Sequence, residues 1–76
     1  MELVQAFGRN VRELRERQNL TQEDLEGLTG LRRSYISDME RGRRNPCLKA
    51  IGRIAQALGV PPSELLALPK TPPGPL

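Results

Sequence analysis

Arg32, Arg33, Arg41, Arg43 and Arg44 crowd one short stretch of the chain, with Ser34, Tyr35 and Asp38 between them. Guanidinium groups present a planar fork of N–H donors that fits two acceptors at once. Their natural partners are phosphate oxygens and the O6 and N7 edge of guanine. Serine and tyrosine hydroxyls donate to the same targets. The chemistry open to such a set is therefore recognition of a polyanion, with no bond made or broken. A local basic cluster is the electrostatic footprint of a nucleic-acid surface, and it says more than the modest net charge of +3. A solvated charged face is the plain alternative for any such run.

Composition removes most other chemistries. There is no histidine, and Cys47 is the one cysteine. Zinc fingers, Cys–His nucleophilic sites, imidazole acid–base catalysis and an intrachain disulfide are all excluded. Seventy-six residues make one domain with no room for a substrate cleft, so an enzyme is not expected, nor a cofactor, a metal or a small-molecule ligand. With 37% hydrophobic and 28% charged residues, the chain reads as globular and soluble. It has no apolar run long enough to span a bilayer and no signal-peptide pattern, so a cytoplasmic location is expected. A domain this small buries only about 60% of its unfolded surface, which makes pairing with a second copy plausible.

The elements that must hold the arginines follow from apolar spacing. Leu3, Phe7, Val11 and Leu14 mark one face of a helix from Glu2 to Gln18, interrupted by Asn19. Thr21 is a good N-cap for a short second helix, followed by Glu23 and Asp24 at its positive end. Leu25 and Leu28 are its expected apolar members, Gly30 its terminator and Leu31 the plug of the turn. A third helix is expected from Arg33 to Arg41, with Ile36 and Met39 inward and Gly42 as its stop. After a loop at 43–46, Leu48, Ile51, Ile54, Ala55 and Leu58 predict a fourth helix ending at Gly59, with Cys47 in the capping position. Proline at 61 and 62 opens a last short helix rich in leucine. No period-two stretch appears. The expected architecture is all-α, five helices over residues 1–68, with a helix-turn-helix at about 22–41 and a disordered Pro-rich tail at 69–76. Two short helices joined at a tight glycine turn can seat the second one in the DNA major groove.

FGRNVRELRERQNLTQEDL, the turn at Gly30–Leu31, RSYISDMERGRRNP and ALGVPPSELL together resemble the lambda-repressor-like, Cro/repressor-type (XRE) helix-turn-helix regulators. The minimal length and the RSYISDMERGRRNP block are most similar to the controller proteins of restriction–modification systems, and short phage repressors share much of this. The resemblance implies a role for individual residues. Gln22 matches a position that bonds a DNA phosphate and braces the recognition helix. Arg33, Ser34, Tyr35 and Asp38 match its exposed positions, and Arg41, Arg43, Arg44 and Asn45 the backbone-gripping loop beyond it. Arg15 and Glu40 match an internal salt bridge, while Val60, Leu65 and Leu66 match the dimer contact. The adjacent Leu65 and Leu66 also point about 100° apart, more apolar surface than one small domain readily covers.

Three residues depart from the family pattern. Glu26 stands where a small residue, commonly alanine, separates the two motif helices. Gly27 costs about 1 kcal/mol against alanine in a helix. Arg32 replaces the usual Ser, Thr or Asp cap of the recognition helix, a loss of about 0.5–2 kcal/mol. Together they predict a less stable or slightly re-angled motif.

The residues carry distinct expectations. Arg33 is expected to read a base, and Arg41, Arg43 and Arg44 to grip phosphates. Tyr35 is either on the DNA face or half in the core. Asp38 either accepts from cytosine or orients Arg33 or Arg41. Cys47 is expected to be inert. The implied function is a homodimeric, sequence-specific transcriptional regulator, bacterial or phage-encoded. It would act on double-stranded DNA at a palindromic operator and autoregulate, with RNA polymerase as a possible further partner. An antitoxin-type repressor is one alternative. A protein-bridging module of the same fold is another, but it would lack arginine on its recognition helix and in the loop after it.

Overall fold

Residues 2–68 are described by a computed structural model. Five helices follow one another: α1 (Glu2–Arg17), α2 (Gln22–Thr29), α3 (Arg33–Glu40), α4 (Leu48–Leu58) and α5 (Pro62–Leu65), with no strand among the described residues. The fold is all-α, as expected. The tail at 69–76 lies outside the described residues.

Each boundary has a local cause. Asn19 takes a left-handed φ of 58°, and the N–H of Leu20 bonds the Arg15 carbonyl at 3.0 Å, closing the end of α1. Thr21 and Asp24 then form a reciprocal capping box: Thr21 N–H donates to Asp24 Oδ2 at 2.8 Å, and Asp24 N–H to Thr21 Oγ1 at 3.0 Å. Those bonds hold the Asp24 carboxyl below its usual range, the backbone N–H of Thr21 contributing most. Gly30, at φ 77°, makes the turn between α2 and α3. Thr29 locks that turn, its hydroxyl donating to the Leu25 carbonyl and accepting from Leu31 N–H.

The core is assembled from all five helices: Phe7 and Val11, Leu25, Ile36 and Met39, Ile51, Ile54 and Leu58, and Leu65. Four apolar expectations are corrected, beginning with Leu3, which sits in the first turn of α1 and is 42% exposed. Leu28 is 58% exposed and Leu48 84% exposed. On α2 the inward neighbour of Leu25 is Thr29, four residues on and directly one turn away. Leu48 is the first residue of α4, ahead of the stripe that begins at Ala50 and Ile51. The fourth correction bears on assembly. Leu65, placed by its family match in a dimer contact, is completely buried within the protomer. The terminal turn folds back, and Asn10 Nδ2 donates to the carbonyls of both Leu65 and Ala67, at 2.9 and 2.8 Å. Leu66 remains at the surface, 36% exposed, and Val60 is half-buried against the core.

Gly8 sets how closely α1 approaches the end of α3. A methyl group there would collide with the backbone carbonyl oxygen of Met39 and crowd that of Glu40. Backbone cannot rotate away as a side chain can. Gly8→Ala gains about 0.5–1 kcal/mol of helix propensity, yet the separation it forces costs about 1–3 kcal/mol. A lower melting temperature by circular dichroism is the expected result. A variant melting at or above the parent would show that α1 shifts freely.

Candidate nucleic-acid interface

The second helix of the motif is fixed from behind. Arg15 on α1 donates through Nε and Nη2 to the two carboxylate oxygens of Glu40, at 2.8 and 2.9 Å, and through Nη1 to the Leu20 carbonyl at 2.8 Å. Gln22, at the start of α2, donates through Nε2 to Glu40 Oε1 at 3.1 Å. The Glu40 side chain is 4% exposed and that of Arg15 11%. Hydrogen bonding to Glu40 is the chief reason the Arg15 pKa is raised. One carboxylate at the end of α3 thus ties it to both preceding helices.

The start of α3 is held by a carboxylate from α2. Arg32 occupies the N-cap without a side-chain cap bond. Glu26 Oε2 instead accepts the backbone N–H of Arg33 at 3.0 Å. Two departures from the family pattern therefore complement each other: the long acid at 26 supplies the acceptor that Arg32 does not. A negative charge here also suits the positive end of the helix.

With Ile36 and Met39 anchored in the core, Arg32, Arg33 and Ser34 are exposed together, and Arg41, Arg43, Arg44 and Asn45 are exposed after the helix ends. Tyr35 is half-buried against the core, and the Arg44 guanidinium lies over its ring, 4.8 Å from the centroid. That stacking joins the loop to the helix. The Asp38 side chain has no hydrogen bond to Arg33 or Arg41 among the described residues, so in this structure it does not orient either arginine. It lies five residues beyond Arg33, off the i,i+4 neighbour, and the partner of Arg33 comes from α2 instead: Glu23 Oε1, 2.9 Å from Arg33 Nη1.

Two cations absent from the sequence expectations extend this surface. Lys49 and Arg53 stand at i,i+4 spacing on α4 and join Arg32, Arg44 and Asn45 around an open groove of about 790 Å³ that has no acidic residue in its lining. Their spacing was the available signal. Cys47 borders the same groove, exposed at the N-cap of α4. Its thiol pKa is lowered, chiefly by the Ala50 N–H. Among the described residues no three His, Cys, Asp or Glu side chains gather as metal ligands, and no helix is long and apolar enough to cross a membrane.

A helix-turn-helix family model matches residues 11–65. The chain belongs to the helix-turn-helix family. Its relatives are close: control protein C.BamHI of Bacillus amyloliquefaciens is 49% identical over 61 residues, 79% of this chain and 75% of that one. The crystal structure of the restriction–modification controller protein C.AhdI from Aeromonas hydrophila superimposes with a TM-score of 0.79 at 47% identity, covering 82% of this chain and 94% of that one. The controller protein C.Esp1396I, solved as a tetramer in complex with its natural 35 base-pair operator, gives a TM-score of 0.76 at 29% identity, covering 88% and 99%. This helix-turn-helix chain is a DNA-binding transcriptional regulator of the controller-protein type. Its family is one of regulators, not of enzymes.

Proposed function

We infer that the chain works as a homodimer on a two-fold related operator, controlling its own gene and those beside it, in the cytoplasm of its host. The observation that carries this is the braced α3. Its core residues are fixed, Arg33 and Ser34 face outward at its leading end, and four basic residues, Arg32, Arg44, Lys49 and Arg53, line a groove beside it with no acid in the lining. A C2 pair sets two such helices about 34 Å apart, so half-site centres fall about 10 base pairs from each other. The operator complex of C.Esp1396I supports DNA as the partner. Residues 1–68 form the binding unit. Within it Arg33 reads a base, with Ser34 beside it, while Asp38, half-buried and outside the acid-free groove, accepts from cytosine. Arg32, Arg41, Arg43, Arg44 and Asn45 hold phosphates, joined by Lys49 and Arg53. Gln22 touches the backbone with the amide hydrogen that Glu40 does not use.

Reading and gripping separate by substitution. DNA selected by the protein from a random library supplies the operator, and each variant is then titrated with operator and random DNA across a salt series. Arg33→Ala should cost about 1–3 kcal/mol at the operator and relax preference at one base position. Arg43→Ala or Arg44→Ala should weaken both DNAs alike and lower the salt slope by about one. Equal loss of base preference in Arg33→Ala and Arg43→Ala would overturn this division. Failure of the parent to bind DNA at low salt would overturn the function itself.

A further inference from the structure

Two carboxylates of α2 converge on the residue that leads α3. Glu26 holds the backbone N–H of Arg33, and Glu23 holds its guanidinium through Nη1. The first fixes where the side chain starts, the second where it ends. An acid next to a DNA-binding arginine is otherwise a liability, because it repels phosphate.

Resting on the assignment of Arg33 as the base reader, we propose that Glu23 is its positioning residue and sets the base preference of the recognition helix. Arginine carries five N–H donors, and the bond to Glu23 engages one of them, on Nη1. The parallel pair on Nε and Nη2 stays free, and that edge is a bidentate donor for guanine O6 and N7. A free arginine on an exposed helix end samples many rotamers and settles on whatever phosphate is nearest. Held at one nitrogen by a residue of the same rigid motif, it presents its remaining edge in one orientation. The Glu23 charge also screens Arg33 from phosphates, so random DNA is disfavoured while guanine, which approaches the free edge, is not. The pair is exposed, at 60% for Arg33 and 71% for Glu23. Its contribution to folding is therefore small, and its substitution leaves the protein intact.

The test compares the parent, E23A, E23Q, R33A and E23A/R33A, each on library-selected operator, on operators altered one base at a time, and on random DNA. Melting curves within about two degrees of one another establish that all are folded. E23Q keeps a carbonyl oxygen that accepts from Nη1 but loses the charge. E23A loses both. E23A should lower the ratio of operator to random binding about tenfold, at the same base position that R33A relaxes. E23Q should keep the parent's base preference. Both should bind random DNA more tightly than the parent, since each lacks a negative charge. In the R33A background, E23A should change no base preference. If R33A loses the preference and E23A keeps it, or if E23A and E23Q lose it equally, the proposal falls and Arg33 stands as reader. If R33A keeps the preference, that assignment falls and the proposal with it.

Discussion

Glu40→Ala is expected to unfold the domain at temperatures where the parent is fully native. The carboxylate accepts from Arg15 twice and from Gln22 once, in a setting that leaves it almost no contact with water. A guanidinium does not shed its proton at any ordinary pH, so removing the acid strands a charge among α1, α2 and α3. Breaking a buried pair in this way costs about 3–5 kcal/mol. A domain of this size holds about 4–11 kcal/mol in all. The melting temperature should accordingly fall by at least about 12 °C, at about 4–8 °C for each kcal/mol. Replacing both partners, as in Arg15→Met with Glu40→Leu, removes the stranded charge and should recover most of the loss. That recovery separates an unpaired charge from a general defect in packing. Glu40→Ala melting within about two degrees of the parent would mean that the pair carries no stability. The same network orients α3, so any folded Glu40→Ala should discriminate poorly between operator and random DNA.

What the sequence disclosed, and what it hid, follows from the range of each interaction. Helix ends were legible because their causes are local: Asn19, Thr21 with Asp24, Gly30 and Pro62 each act within a few residues of their own position. Ile36 and Met39 were legible from spacing, and the Arg15–Glu40 pair only through family likeness. Gly8 was not legible, since its role is the distance between two helices far apart in the chain. Nor was the exchange of caps, in which Glu26 serves Arg33 seven residues away across a turn. Read singly, Glu26 and Arg32 each look like a weakness. The Glu23–Arg33 bond spans ten residues and two helices, a separation with no periodic signature. Leu28 and Leu48 misled because an apolar residue at a plausible spacing is still free to face solvent at a helix edge.

Leu65 and Leu66 are adjacent and chemically identical, and their substitution by glutamate should give opposite results. The Leu65 side chain is wholly enclosed, packed in the core with Phe7, Val11 and Leu58, and Asn10 fixes the backbone that carries it. Leu65→Glu removes that packing and buries an acid with no partner, a combination that costs more than about 4 kcal/mol. Most of the chain should be unfolded, with loss of helical circular dichroism. Leu66, at 36% exposure, has surface free to meet a second copy. Leu66→Glu should therefore leave the helical signal intact, sediment as a monomer, and still bind a single half-site. On a full operator it loses the linkage between half-sites, a loss of about 100-fold or more in affinity. A glutamate at 65 that folds as well as the parent would mean that the terminal turn is not part of the core. A glutamate at 66 that still sediments as a dimer would move the pairing surface away from α5. Because the two residues share a helix end, composition and local propensity hardly differ between the variants, and the burial of one side chain decides the outcome.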